Sequence, residues 1–230
     1  MSTKYTFLLP AFKPDFLEIA LRSIKSQTYS DFKVLVSDDC SPHDLKSIYN
    51  KVCGDDARFS YRRNEVNMGS KSLVSHWKLL VDMCDTEYLI LASDDDVYEP
   101  TFLEEVDKLA KKYPEVDLIR ARVKRFDGKQ ILEEDSVRKE YESQIEFLFN
   151  SCSVVQIPCI GNYVFRKKAL FKNGFYELPL AWGSDEITTN EASINGVAIT
   201  ERIEFSFRWS GINISTIEND STLRQKLEAR

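Results

Sequence analysis

Three consecutive aspartates, Asp94, Asp95 and Asp96, follow directly on an apolar run, Tyr88-Leu89-Ile90-Leu91-Ala92. Such a run reads as a short buried strand. Three carboxylates at the tip of a buried strand repel one another, so the array needs a cation among them. A hard divalent cation takes oxygen ligands of this kind and, with open positions, holds phosphate. A solvated acidic loop after a strand is the competing reading. A second acidic pair, Asp38 and Asp39, closes the run Lys33-Val34-Leu35-Val36-Ser37. An ionised carboxylate is acceptor-only, which suits Asp39 to the ring N–H of a uracil-like base. Asp38 reads instead as the turn and cap of the next helix. A third pair, Asp185 and Glu186, stands at a helix start after Trp182-Gly183-Ser184. Acids are common there as caps.

The elements that must position these groups alternate. Tyr5 to Pro10 is nearly all apolar and reads as a first strand buried on both faces. Asp15 with Glu18 has the spacing of a capping box, opening a helix over residues 16–27 whose apolar positions fall on one face. Ser41-Pro42 reads as the start of a second helix, Phe59 to Asn64 as a third strand, and Ser70 to Cys84 as a third helix after the Asn67-Met68-Gly69 turn. Thr101 and Glu104 repeat the capping-box spacing before a helix over residues 102–112. Strand and helix alternate four times, which predicts a parallel sheet with right-handed crossovers. Ligands of such sheets bind at the carboxyl ends of the strands, and Asp38, Asp39, Asp94, Asp95 and Asp96 all follow strand ends.

The second half is less regular. Leu118 to Phe126 and Asn162 to Arg166 read as strands, the latter followed by a short helix from Lys167. Glu133 to Phe149 reads as a lid or an acceptor-side helix, Gly174 to Ser184 as a loop, Asp185 to Asn195 as a helix and Ile203 to Arg208 as a last strand. His76 and Trp77 fall inside a helix, with Trp77 on its core side. Lys71, Arg166 and Arg208 are the cations that could meet phosphate, although each reads more simply as solvated surface. No repeat or linker breaks the chain, which reads as one domain over 1–230, with residues 1–115 holding the ligand-facing strand ends.

Composition narrows the classes. A net charge of -6 and a pI near 5.2 argue against a general nucleic-acid surface. No apolar run approaches the length of a membrane span, and Met1-Ser2-Thr3-Lys4 leads straight into a strand pattern, with no signal peptide expected. The five cysteines are odd in number and lack zinc-ligand spacing, which fits reduced thiols in a cytoplasmic protein.

The motifs taken in order resemble the family 2 glycosyltransferases, which have the GT-A fold, a single Rossmann-like domain with a mainly parallel central sheet flanked by helices. Pro10-Ala11-Phe12 stands where that family has Pro, a small residue, Tyr and Asn. Ser26-Gln27-Thr28-Tyr29 and Ser37-Asp38-Asp39-Cys40-Ser41 are similar to its S-x-x-x-Q-T and D-D-x-S elements. Asn67 and Gly69 precede a helix, Ser93-Asp94-Asp95-Asp96 sits at its D-x-D, and Gly161-Asn162 with Phe165-Arg166 is followed by Gly174-Phe175 and Trp182-Gly183-Ser184-Asp185-Glu186.

The resemblance implies an inverting transfer of a sugar from a nucleotide-diphosphate sugar, most often a UDP-sugar, to a hydroxyl of a glycan or lipid-linked acceptor, in cell-surface polysaccharide synthesis. It implies Asp185 as the catalytic base and Pro10, Ala11, Phe12, Asp39, Asn67, Gly69 and Asp94 around the nucleotide. It places Mg²⁺ or Mn²⁺ on Asp95 with Asp96 beside it, and residues 1–115 and 116–230 as the donor and acceptor halves. Peripheral association with the inner face of a membrane follows from a lipid-linked acceptor. Two departures stand out. Ser93 replaces the first acid of the D-x-D, and Phe207-Arg208-Trp209-Ser210-Gly211-Ile212-Asn213 lacks the His that many members carry near the last strand. A nucleotidyltransferase would want a Gly-rich loop after the first strand, and Ala11-Phe12-Lys13-Pro14 is not one. A binding module that has lost catalysis would lack the base.

Overall fold

The computed structural model describes residues 3–153, 155–171, 174–213, 216 and 219–229. Met1 and Ser2 of the opening segment lie outside them. The first half forms β1 (Tyr5–Ala11), α1 (Leu17–Lys25), β2 (Phe32–Asp38), α2 (Leu45–Cys53), β3 (Phe59–Arg63), α3 (Leu73–Met83), β4 (Tyr88–Leu91), β5 (Val97–Tyr98) and α4 (Phe102–Lys112). The second half adds β6 (Leu118–Phe126), β7 (Ile131–Glu134), β8 (Tyr141–Glu142), α5 (Gln144–Cys152), β9 (Tyr163–Arg166), α6 (Lys167–Phe171), α7 (Ser184–Ala192), β10 (Val197–Arg208) and α8 (Asp220–Glu228).

One sheet runs in the order β3-β2-β1-β4-β9-β6-β10-β5, with β7 added to β6 and β8 to β10. The parallel run expected from the alternation is β3-β2-β1-β4. Beyond it the sheet is mixed: β9 lies antiparallel to both β4 and β6, while β6 and β10 are parallel. The apolar strands divide cleanly between two helical layers because successive side chains point to opposite faces. Tyr5, Phe7 and Leu9 of β1 and Tyr88 and Ile90 of β4 join α1, α2 and α4 in one core. Leu8, Leu89 and Leu91 join Val74, Trp77 and Leu80 of α3, Phe147 of α5 and Leu170 of α6 in the other.

Helix starts differ from their sequence signatures. Neither expected capping box forms: Glu18 pairs with Arg22 and Lys51, and the Thr101 hydroxyl donates to Glu204. Asp44 rather than Ser41 caps α2, accepting the Ser47 N–H at 3.0 Å. A capping box does form at Ser143 and Glu146, and the stretch over residues 133–149, expected to be a lid or an acceptor-side helix, runs from the end of β7 through β8 into α5. That segment is pinned from below by a fully buried pair, Arg120 and Asp135 at 2.6 Å. The Asp135 carboxylate also accepts the N–H groups of Val123 and Ile157. β10 begins six residues before the predicted Ile203, and β5 and β8, of two residues each, are too short to read from periodicity. Among the described residues no helix is long and apolar enough to cross a membrane.

Candidate active site

The register sets the site. Pro10 lies opposite Ser37 and Ala11 opposite Asp38, while Leu8 lies opposite Leu91, so β1, β2 and β4 end at one rim. A cavity of about 760 Å³ opens there. Pro10, Ala11, Phe12, Asp39, Asn67, Gly69, Asp94, Asp95, Asp96 and Asp185 all line it. The sequence candidates are therefore brought together, although residues 39 and 185 are far apart in the chain.

Asp38 and Asp39 have different surroundings. Asp38 is fully buried and structural: it accepts the Ser41 N–H at 2.8 Å, the Tyr61 hydroxyl at 2.6 Å and the Arg63 guanidinium. Asp39 faces the cavity from a tight cradle. Its Oδ1 accepts from Asn64 at 2.8 Å and from the Met68 N–H at 2.9 Å, and its Oδ2 from the Gly69 N–H at 2.7 Å. A carboxylate offers about four lone-pair sites, so one on Oδ2 remains for a ligand. Gly69 is required: a Cβ there would sit 2.9 Å from Asp39 Oδ2. His76 stands behind, its Nδ1 3.6 Å from Asp39 Oδ2 and its Nε2 3.0 Å from the Ser37 hydroxyl. Burial holds the His76 ring below its ordinary value despite the nearby Asp39 charge, and its Nδ1 makes no hydrogen bond to the carboxylate.

The three aspartates after β4 are all engaged by protein groups, and Asp94 and Asp95 share Lys13. Asp94 Oδ2 accepts the backbone N–H groups of Phe12 and Lys13 at 2.9 and 2.8 Å, fixing the loop after β1. Asp95 Oδ2 accepts from Lys13 Nζ at 2.8 Å and from Asn213 Nδ2 at 3.1 Å. Asp96 is buried and accepts the Arg208 N–H at 2.8 Å. Burial and the Asp95 charge push the Asp96 carboxyl well above its ordinary value, and burial does the same to Asp94 although Lys13 opposes it. Burial alone would lower the Lys13 ammonium, but Asp94 and Asp95 outweigh it and raise it.

This donor set does not fit the divalent ion expected on Asp95 and Asp96. Asp96 points to backbone, an ammonium stands against Asp95, and among the described residues no three His, Cys, Asp or Glu side chains converge on a metal position. Lys13 stands against the acidic array, its Nζ 2.8 Å from Asp95 Oδ2.

Asp185 lies in the first turn of α7, after Gly183 at φ 80°. It is half-buried and lines both the main cavity and a second one of about 320 Å³, formed between α5 and α7. Burial pushes its carboxyl from 3.8 up to about 6, the Glu186 charge adds to this, and the N–H groups of Glu186 and Asp185 hold it back. A carboxyl poised there accepts a proton near neutral pH. Gly183, the cap residue, has no side chain to offer this helix start, and Asp185 stands in the first turn on the cavity wall. The preceding loop carries Leu180 and Ala181 at positive φ, 58° and 55°, and it presents Trp182 to the main cavity.

Other residues were not legible as site residues. Trp77 is core, as expected, but also lines the cavity, and it packs on Phe175 at 5.3 Å. Arg208 is not solvated surface. It is buried, its Nε donates to the Asp95 carbonyl at 2.8 Å, and its guanidinium lies between the rings of Phe16 and Phe126 at 4.3 and 4.5 Å. Arg166 sits away from the rim on Glu87 and Asp117. Asn213 closes over Asp95 within the segment that lacks the family's His. Lys13 could have been noticed, because it stands where the resemblance leads one to expect Asn.

The sequence of residues 7–173 matches glycosyl transferase family 2. Among curated relatives, Protein CgeD of Bacillus subtilis (strain 168) is 23% identical over 73% of this chain and 41% of its own length. The GalNAc(5)-diNAcBac-PP-undecaprenol beta-1,3-glucosyltransferase of Campylobacter jejuni is 30% identical over 40% of this chain and 30% of its own length. The chain thus matches less than half the length of these relatives. The crystal structure of S. aureus TarS 1-349 in complex with UDP-GlcNAc superposes with a TM-score of 0.76 at 17% identity, over 96% of this chain and 64% of that one. Its complex with UDP gives 0.72 at 17% identity, over 90% and 61%. Those likenesses establish the GT-A fold, and the match over residues 7–173, with strand-end acids and Asp185 on one cavity, places this chain in glycosyl transferase family 2.

Proposed function

We propose that the chain transfers a sugar from a UDP-sugar to a hydroxyl acceptor with inversion, and that Asp185 is the general base. One observation carries this reading: a single cavity is lined by Asp39, by the acidic rim of β4 and by Asp185, and a second cavity opens on the same Asp185. The uracil ring N–H donates to the free lone pair of Asp39 Oδ2. Pro10, Ala11, Phe12, Asn67 and Gly69 wall the nucleoside, and Asp94 fixes the loop that carries Phe12. The acceptor enters from the α5 and α7 side. Asp185 takes the proton of its hydroxyl while that oxygen attacks the anomeric carbon on the face opposite the diphosphate, and the nucleoside diphosphate leaves. The expected Mg²⁺ or Mn²⁺ is not carried into this mechanism, because the carboxylates that would hold it are turned to Lys13, Asn213 and backbone.

The donor half, residues 1–115, supplies the nucleoside walls, and residues 116–230 supply Asp185 and the second cavity, as parts of one domain. A lipid-linked glycan acceptor in cell-surface polysaccharide synthesis fits the exposed Ile145, Leu148 and Phe149 of α5, beside the second cavity. It fits as well the undecaprenol-linked substrate in the name of the Campylobacter jejuni relative. A location in the cytoplasm at the inner membrane face belongs to the same reading. A nucleotidyltransferase is disfavoured, because the N–H groups of Phe12 and Lys13 that would cradle phosphate are spent on Asp94. A binding module without catalysis leaves the raised Asp185 carboxyl without a role.

A thermal-shift panel of UDP-, GDP- and dTDP-sugars tests the donor. Ligand at a hundred times its dissociation constant adds about 2.7 kcal/mol, which for a chain of this size moves Tm by roughly 5–11 °C. A shift with UDP-sugars supports the reading. No shift with any nucleotide sugar contradicts it.

A further inference from the structure

The rim after β4 carries three acids, yet its protein partners already balance them. Lys13 Nζ lies 2.8 Å from Asp95 Oδ2 and 3.5 Å from Asp94 Oδ1. Its own backbone N–H binds Asp94 Oδ2 at 2.8 Å, so the residue is tied to the rim at both ends. Arg208 adds a second cation, its guanidinium Nε donating to the Asp95 carbonyl, while its backbone N–H donates to Asp96. A divalent ion on Asp95 Oδ2 would have to share that oxygen with an ammonium and with the Asn213 amide. Like charges at such a separation in a half-buried site repel strongly. Two sequence departures point the same way: Ser93 stands in place of an acid, and residues 207–213 hold no His.

We propose that Lys13 is the resident cation of the donor site, and that the donor diphosphate binds against its ammonium without a divalent metal. The inference rests on the UDP-sugar reading above. An ammonium has three donor hydrogens, and the two carboxylate contacts leave one for a phosphate oxygen. As the bond to the sugar breaks, the charge that accumulates on the leaving diphosphate is met by this fixed ammonium. Lys13 also keeps Asp94 and Asp95 from repelling the incoming phosphates. A fixed cation of this kind is preorganised for the leaving group and needs no metal recruitment.

Two measurements on the protein decide it. UDP is titrated calorimetrically in EDTA and again in excess Mn²⁺, and Mn²⁺ binding to the free protein is followed by electron paramagnetic resonance. The expected results are the same UDP affinity in both media and no Mn²⁺ uptake at the rim. Lys13→Ala removes the ammonium and exposes Asp94 and Asp95. The variant is expected to bind UDP at least about tenfold more weakly in EDTA, the scale of one lost charge-assisted hydrogen bond. It should also gain Mn²⁺ uptake and recover UDP affinity when Mn²⁺ is added. If the variant does not fold, the two wild-type measurements settle the matter alone. Wild-type UDP binding that appears only with Mn²⁺ overturns the inference and leaves the proposed function standing. Absence of UDP binding in both media overturns the donor reading and this inference with it.

Discussion

Replacing Asp185 by Asn separates catalysis from stability. Asn retains the size of the side chain but accepts no proton, and general-base catalysis is typically worth roughly 10²–10⁴-fold in rate. The wild-type carboxyl is raised from 3.8 to about 6, so the fold favours its neutral form. A group with a raised folded pKa contributes its full stability below the unfolded pKa and loses it as pH rises through the folded one. Wild type is therefore stable with respect to this group below about pH 4 and penalised above about pH 6. The displacement corresponds to at most about 3 kcal/mol, and water in the cavity reduces that to roughly 1–2 kcal/mol. Asp185→Asn carries no such penalty. It should equal wild type near pH 4 and exceed it at pH 8 by roughly 2–8 °C in Tm, while turning over at least about a hundredfold more slowly. Scanning calorimetry across pH and a UDP-release assay measure the two effects. The wild-type rate should fall below about pH 6 as Asp185 protonates. Glu186→Gln removes the charge that helps raise Asp185, so it should keep activity and move the acidic limb to lower pH. Near wild-type turnover in Asp185→Asn, or an acidic limb that Glu186→Gln leaves in place, would refute the assignment.

Three further outcomes follow from the site and its support. Asp39→Ala should weaken UDP binding at least about tenfold and also lower stability by roughly 2–4 kcal/mol, because Asn64 and the N–H groups of Met68 and Gly69 lose their acceptor; calorimetry and urea unfolding read the two effects. Gly69→Ala puts a Cβ 2.9 Å from Asp39 Oδ2, so UDP affinity should fall with a smaller change in the urea midpoint than in Asp39→Ala. Asp135→Ala strands the fully buried Arg120 and should cost about 3–5 kcal/mol by urea unfolding, loosening the segment that leads to α5.

The strand ends could be read from the sequence because their signal is local and redundant. β2 and β4 are apolar runs that stop at polar residues and β1 is one that stops just after Pro10, and parallel register then brings the stops to one rim. The helix caps could not be read so safely. Glu18 and Glu104 stand at capping-box spacing, but Arg22 and Lys51 hold the first, and Lys108 and Thr28 the second. Ser41 donates its hydroxyl to the Phe12 carbonyl at 2.6 Å and accepts the His43 N–H at 3.2 Å, and α2 starts later, capped by Asp44. In each case a partner distant in sequence outbids the local pattern. The same limit hid Lys13, Arg208 and Asn213 as partners of the aspartates, since residues 13, 95 and 213 meet only in the folded sheet. The acidic cluster was legible as a site needing a cation. That Lys13 folds against it was not.

The central claim is that an acceptor oxygen, deprotonated by Asp185, displaces the nucleoside diphosphate from the opposite face of the sugar. The most direct test is the anomeric configuration of the first-formed product, observed by NMR with an α-linked UDP-sugar labelled at its anomeric carbon. The account predicts a β-configured product before any equilibration. An α-configured first product, showing retention, would contradict it.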